Sequence, residues 1–458
     1  MIGAQTIGNA TLIAYDNKPI LSTDPWMGGD HYAYFGSWYL PYEIPNNLKD
    51  DILKSKYIWF SHGHPDHLNP DSLHLYKNNN ILLSDHVGHR ISDDLKKEKF
   101  NITILKDREW IKLSDNISIL SISTKIQDSI LLIRIKDDVF INLNDAGPNS
   151  FRYIRKKISS FKRKFLLTLS GWGDADMMNF HDQNDRFIEP LAAKKHPVGD
   201  SLSLMAKLFD AQYVIPFSSF HEYQRADSVW ANKYITQYND YSEGIHKDVN
   251  YINPFTFVDS TREDEFHSLS LKKKKLQIKD SEKFADNWND QLDFEDKKII
   301  KNYFLKFQLL NEKIGFLNFR VGNKDYNLKF NGHKEKGISF ELPRCSLVTA
   351  CKYNIFDDLL IGNFMKTKLF NLKSLYDPNF NFTFTVSKFG DNGRAYTKEQ
   401  INNYLKNYAE RMGREYLFDM FASHSREYFK FFFKNYYQSK YYSKFKKIYY
   451  SLIKISDL

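Results

Sequence analysis

His62, His64, Asp66 and His67 stand within six positions of one another, in the run Ser61-His62-Gly63-His64-Pro65-Asp66-His67. Neutral imidazole and carboxylate serve zinc, iron and manganese, and a divalent ion needs several such ligands converging on one point. Residues two apart in an extended segment project to the same side, so His62 and His64 reach one ion together. Asp66 and His67 are adjacent and project apart, which suits them to a second ion about 3.5–4 Å away, the usual two-metal spacing. Gly63 and Pro65 keep competing side chains out of the turn. Histidine supplies only 14 of the 458 residues, so so tight a ligand pattern is a rare accident.

Elements must hold these ligands in place. Residues 56–60 form a short apolar strand that runs straight into the motif, at the strand end where α/β sheets commonly build sites. Asn69-Pro70 reads as a helix start, with Asn69 as N-cap and Pro70 at the first helical position. Upstream, 6–15 and 19–23 read as strands paired around Asp16-Asn17, ended by Asp24-Pro25-Trp26, with an irregular Gly- and aromatic-rich stretch to follow. Downstream come strands at 80–84 and 101–105 around a helix, and β-rich segments at 117–123, 129–135 and 139–143. A helix near 149–157, a strand at 165–169, a mostly helical 187–209 and a strand at 213–216 follow, ending in Phe217-Ser218-Ser219-Phe220-His221. Such alternation predicts an α/β domain over residues 1–255. A polar linker, 256–285, contains four consecutive lysines at 272–275. An α+β accessory domain over 286–422 includes a capping box at Thr397 and Gln400, and 423–458 reads as a basic, aromatic C-terminal helix.

Composition narrows the class. Hydrophobic residues make up 42% and charged residues 26%, as expected for a soluble chain of two domains. Only Cys345 and Cys351 are present, too few for a disulfide framework, a zinc ribbon or an iron–sulfur motif, and a reducing cytosol is the expected home. No secretory signal is legible, and no apolar run approaches the roughly 20 residues of a membrane span. The net charge is +9, and 425–458 holds eight Lys or Arg against two acids. That tail suits peripheral contact with an anionic surface, but it is no nucleic-acid motif, and no nucleic-acid partner is expected.

The spacing His62-His64-Asp66-His67 is the signature of the metallo-β-lactamase superfamily, and the resemblance covers residues 1–255. It implies a four-layer αβ/βα sandwich followed by a smaller α+β domain. Ile7-Gly8-Asn9-Ala10-Thr11 with Asp24-Pro25-Trp26 resembles the branch that includes ascorbate-6-phosphate lactonase, with Asn9 where a histidine is usual. The resemblance makes Asp145, in Asn142-Leu143-Asn144-Asp145, the bridging carboxylate, and His221 the last histidine ligand. The histidine expected before the strand pair leading to Asp145 is missing; the stretch 124–129 offers Gln127 or Asp128 instead. Asp128-Ser129, Asn142 to Asp145, Ser170-Gly171-Trp172 and Pro216-Phe217-Ser218-Ser219 are similar to CMP-N-acetylneuraminate hydroxylase-like proteins. The paired Cys and His motifs of a Rieske centre are absent from these residues. Phe356-Asp357-Asp358-Leu359-Leu360-Ile361-Gly362 and Asp391-Asn392-Gly393 are distinctive without an assigned chemistry, in a domain that resembles a sterol-carrier-like module.

The resemblance therefore implies a metal-dependent hydrolase. His62, His64 and His221 would hold one ion, Asp66 and His67 the second, with Asp145 bridging. Asp66 is also the catalytic candidate, zinc the first ion expected and iron the alternative. The substrate would be a small molecule, possibly anionic: an ester, lactone, amide or phosphoester. An oxygen-activating iron enzyme and a non-catalytic binding protein are the other two readings. His86, His89, His181 with Asp174 and Asp176, Trp26 and Trp38 are further pocket candidates, while His196 reads as a loop residue.

Overall fold

A period of two in the apolar segments divides each strand between two partners. In Ile130-Leu131-Leu132-Ile133, Ile130 and Leu132 pack outward with Ile154 of the helix Phe151–Ile158, while Leu131 and Ile133 pack inward with Trp59 and Leu82 of a second sheet. Strands buried on both faces read as continuous apolar runs. Each such Leu or Ile contributes about 1.5–3 kcal/mol of burial.

The computed structural model describes residues 1–169, 177–377, 380–418, 420–422, 425 and 447–449. The first sheet runs in space Phe266–Ser268, Thr256–Asp259, Ile2–Ile7, Thr11–Asp16, Lys18–Thr23, Tyr57–Phe60, Asn80–Ser84, Ile102–Leu105. The second runs Asn250–Tyr251, Tyr213–Phe217, Arg163–Leu169, Asp138–Asn144, Ser129–Ile135, Ile117–Ser123, Trp110–Lys112. Their inner faces share one core. The helices Asn46–Lys54 and Arg90–Lys97 cover one outer face, and Phe151–Ile158 and Val198–Leu208 the other, which makes the four-layer sandwich.

Two boundaries differ from the sequence reading. The strand expected at 6–15 is two strands, because the chain reverses at Gly8 (φ +63°) and lifts Asn9 out of the ladder. The first unit also runs past residue 255: Thr256–Asp259 pairs with Ile2–Ile7, and Phe266–Ser268 extends the sheet. Short edge strands with polar residues carry little apolar signal, which is why this segment reads as linker.

A five-stranded sheet builds the accessory unit, in the order Phe180–Asp182, Lys366–Phe370, His333–Glu341, Ile314–Val321, Lys324–Lys329. Its core is rich in phenylalanine, including Phe304, Phe319, Phe340 and Phe356. Its edge strand Phe180–Asp182 comes from the first half of the chain, so the two units are stitched together. The expected capping box is present: Thr397 and Gln400 cap the helix Lys398–Met412 reciprocally. Cys345 and Cys351 are both free. Ser170-Gly171-Trp172, Asp174, Asp176 and nearly all of the basic tail lie outside the described residues, among which no helix is long and apolar enough to cross a membrane.

Candidate metal centre

The motif loop hangs from Asp24. Its Oδ1 accepts from Ser61 N at 2.7 Å, at the end of the strand Tyr57–Phe60. The carbonyl of His64 then accepts from His67 N and Leu68 N at 3.0 and 2.8 Å, closing a tight turn. Asn69 caps the next helix as expected, accepting from Ser72 N at 3.0 Å.

Each motif histidine is gripped at one ring nitrogen and presents the other. His62 Nδ1 bonds Ser61 Oγ at 2.8 Å, leaving Nε2 facing His64 Nδ1 at 2.9 Å and Asp145 Oδ2 at 3.8 Å. His67 Nδ1 lies 3.1 Å from Asp24 Oδ2. Its Nε2 has no hydrogen bond but lies 3.4 Å from Asp66 Oδ2 and 3.5 Å from Asp145 Oδ2. His64 Nε2 meets Asp357 Oδ2 of the accessory unit at 3.0 Å. Asp66 accepts from Asn9 Nδ2 at 2.9 Å and from Tyr34 OH at 2.5 Å, and Asp145 accepts from Ser218 Oγ at 2.8 Å.

His62, His64 and Asp145 offer ligand atoms within 4.8 Å of one another; among the described residues the other such set is His64, Asp357 and Asp358. The sequence grouping of His221 with His62 and His64 is not reproduced in either set. His221 is buried against Trp38, ring centroids 3.3 Å apart and planes 4° apart, and neither ring nitrogen has a hydrogen bond. Trp38 is thus the buried packing partner of His221, while Trp26 is core, donating to His31 O at 2.8 Å.

Burial dominates the electrostatics. It pushes His62 well below the usual imidazole range and lowers His221 to about 3, so both rings are neutral and carry a lone pair. Burial also opposes charge on His67, but Asp66 and Asp145 outweigh it and raise His67 well above that range. Asp145 is held low, against its burial, by His67.

Of the two residues at the position of the missing histidine, neither belongs to a ligand set. Gln127 Nε2 is spent on Val87 O (3.0 Å), Tyr404 OH (2.9 Å) and Tyr408 OH (3.2 Å). Asp128 pairs with Lys388, whose Nζ lies 3.4 Å from Oδ1. Three other candidates lie outside the ligand sets. His86 bonds Ser129 Oγ at 2.7 Å and Tyr408 OH at 3.1 Å. His89 is exposed, and His181 sits on the accessory edge strand beside Asn179 and Asp185.

The sequence reading missed the contribution of the accessory unit. The pocket in front of His62 and His64 is walled by Arg90, Asp128, Asp357, Asp358, Lys388 and Asn392. Asp357 and Asp358 start the helix Phe356–Ile361; Lys388 and Asn392 lie on the π-helical segment Phe384–Asn392. Such segments recur at functional sites. The two units meet closely at Gly88 (φ +94°), where a Cβ would fall 2.6 Å from the Asn392 carbonyl. The distinctive segments noted around 356–362 and 391–393 were the available signal.

These residues fit a divalent metal. Buried, neutral imidazoles face carboxylates across a shared point, and the Nε2 of His67 and both nitrogens of His221 lack the hydrogen bonds that buried polar atoms normally make.

Fold and motif together define a protein of the metallo-β-lactamase fold. No family model matches the chain. It is 29% identical over 144 residues to a cytidine monophosphate-N-acetylneuraminic acid hydroxylase of Asterias rubens, covering 29% of this chain and 22% of that protein. It is 26% identical over 157 residues to a Rieske 2Fe-2S iron–sulfur protein of Mycolicibacterium smegmatis, covering 31% and 29%. The chain thus spans under a third of the length of these curated relatives. Similar solved structures include Igni18, a metallo hydrolase of Ignicoccus hospitalis (13% identity, TM-score 0.37, 56% of this chain and 97% of that one). Another is CmlA, a diiron β-hydroxylase of Streptomyces venezuelae (11% identity, TM-score 0.32, 47% and 44%).

Proposed function

We propose that this chain is a metal-dependent hydrolase of a small, polar, anionic molecule. The observation that carries the reading is the convergence of His62 Nε2, His64 Nδ1 and Asp145, with the His67 Nε2 that lacks a hydrogen bond 3.5 Å from Asp145, behind a pocket with Arg90 and Lys388 in its wall. His62, His64 and Asp145, with Asp66, His67 and His221, would hold the metal, zinc being the first expectation. A divalent ion there supplies Lewis acidity and a water deprotonated near neutral pH.

The remaining work falls to the chain. Arg90 of the first unit would orient an anionic group of the substrate, while Lys388, facing the same pocket from the accessory unit, is held by Asp128. Asp66, aligned by Asn9 and Tyr34, is placed to take a proton at Oδ2. The accessory helix Phe356–Ile361 closes the pocket and limits water. The test is elemental analysis of protein purified without added metal, followed by assays on ester, lactone and phosphodiester panels. Turnover that survives chelation and His64→Ala would overturn the reading.

A second reading is favoured by one specific observation. His62, His64 and Asp145 form a two-histidine, one-carboxylate set, the ligand class of non-haem iron oxygenases. The hydroxylases among the similar proteins point the same way. Cys345 and Cys351 stand on one short helix, without the paired Cys and His motifs of a Rieske centre. Iron-loaded protein that consumes oxygen with a chemical reductant and a polar substrate would replace hydrolysis by this reading.

A further inference from the structure

The three motif histidines share one construction. Ser61 Oγ holds His62 at Nδ1 and also reaches His67 Nδ1 at 3.3 Å, where the Asp24 carboxylate lies alongside, so each ring leaves its far nitrogen to the centre. His64 is held at the opposite nitrogen, by a residue nearly three hundred positions away. Its Nε2 lies 3.0 Å from Asp357 Oδ2, while its Nδ1 faces His62 Nε2 at 2.9 Å. Asp357 is itself buried, and Ser387 Oγ donates to the same oxygen.

His64 also belongs to a second set of converging groups, with Asp357 and Asp358. That set does not make a second cation site of equal standing. A neutral imidazole has one lone pair, so a ring that presents Nδ1 to the centre carries its proton on Nε2. Asp357 then accepts a hydrogen bond and has no reason to bind an ion through the same contact. Carboxylates in this relation to a metal-ligating histidine fix its tautomer and ring orientation and raise its basicity.

We infer that Asp357 of the accessory unit is a positioning residue for His64, so that the metal centre of the first domain is completed only when the accessory unit docks. The inference rests on the metal-centre reading above. It gives the accessory unit a role in the centre beyond shaping the substrate pocket. Two further contacts support the coupling. Lys388, one position beyond Ser387, pairs with Asp128 beside the centre, and Arg90 Nη1 donates to Asn392 Oδ1 at 2.8 Å. The segment Phe384–Asn392 that fixes Asp357 is thereby tied to the first domain at its middle and at its C-terminal end.

The test uses the full chain and cobalt or zinc titrated against a competing chelator, with the cobalt absorption spectrum as a second readout. Asp357→Asn keeps the shape and removes the charge. It should weaken metal binding about 10–100-fold and alter the cobalt spectrum, while the thermal transition stays cooperative. Asp357→Glu should recover part of the loss. In a His64→Ala background Asp357→Asn should cost less than about threefold, because the residue acts through His64. If Asp357→Asn does not fold, Ser387→Ala provides the milder variant, with a loss of severalfold expected. Wild-type affinity in Asp357→Asn, or an equal loss with and without His64, overturns the inference alone. A wild-type chain that binds no metal overturns the metal-centre reading as well.

Discussion

The side-chain amide of Asn9 donates to Asp66 Oδ2 at 2.9 Å, and its oxygen accepts from Phe220 N at 2.9 Å. The Asn9 carbonyl also accepts from Ser218 N at 2.9 Å. One residue in the Gly8-Asn9-Ala10 turn thus ties the motif to the loop that carries Ser218 and His221. Asn9→Ala leaves the buried Phe220 N–H without its partner and Asp66 without one of its two donors. A loss of about 1–3 kcal/mol is expected, measured by denaturant unfolding of the metal-free chain. Metal affinity should fall with it, since Asp66 and the Ser218-held Asp145 both lose alignment. Unchanged stability and affinity would show that the tether is incidental.

Lys388 and Asp128 make the next prediction. Asp128 occupies the stretch where the family resemblance expects a third histidine, and the Lys388 ammonium already lies 3.4 Å from it. Burial opposes the charge on each; Asp128 and Asp357 nonetheless keep Lys388 above the ordinary range. A carboxylate already paired with an ammonium is a poor ligand for a further cation. Lys388→Met removes the charge and leaves Asp128 buried alone, a change that costs about 3–5 kcal/mol in comparable pairs. Added zinc should restore more stability to Lys388→Met than to wild type, and the metal content per chain should rise. Equal melting temperatures for the two metal-free proteins would rule this out.

What the sequence made legible was local. The ligand spacing, the strand Tyr57–Phe60, the Asn69 cap and the Thr397 box each depend on residues within a few positions of one another. Asp357 and Lys388 were not legible as site residues because their contacts span about 260–290 positions and belong to no spacing rule. Tyr34 was hidden for another reason. It lies in the irregular stretch after Trp26, with Tyr34 and Phe35 both in the left-handed region (φ 52° and 56°), where no periodicity exists to read. The type of Gln127 suggested a substitute ligand, but only its hydrogen bonds to Tyr404 and Tyr408 show that its amide nitrogen is committed to the helix Lys398–Met412. The three-residue strand Phe180–Asp182 is too short to announce itself, and its partner strand starts at Lys366.

His86 gives the pH dependence. Enclosure lowers it from 6.5 to about 3, with Arg411 and Lys388 adding to the effect. Between those values the unfolded chain binds a proton that the folded chain refuses, so stability is full above pH 6.5 and is lost as pH falls. His86→Gln removes that titration, and at pH 7 it should be the less stable protein because it weakens the bonds to Ser129 and Tyr408. Its melting temperature should then fall less than that of wild type between pH 7 and pH 4.5, so the gap narrows. A gap that widens with acid would mean that His86 is protonated in the folded protein.

Arg225 tests whether the two units act as one. It is fully buried, with Nη1 2.8 Å from Asp286 Oδ2 and 2.9 Å from Phe35 O, and with Asp227 held at 2.8 Å by Nε and 3.1 Å by Nη2. Its guanidinium also lies over the Phe364 ring, 4.0 Å from the centroid. Asp286 in turn accepts from Ser346 N at 3.0 Å, near the start of the accessory helix Arg344–Tyr353. Removing one member of a buried ion pair leaves the other charged and unsolvated, so Arg225→Ala should destabilise the chain by about 3–5 kcal/mol. Arg225→Lys should rescue little, because an ammonium cannot reproduce the forked contacts to Asp227 together with the one to Asp286. If the network couples the units, wild type should unfold in a single transition that separates into two in Arg225→Ala, and metal affinity should drop as Asp357 loses its hold on His64. A variant that unfolds in one transition with undiminished metal affinity would place the coupling elsewhere in the interface, at the Gly88–Asn392 contact or the stitched edge strand.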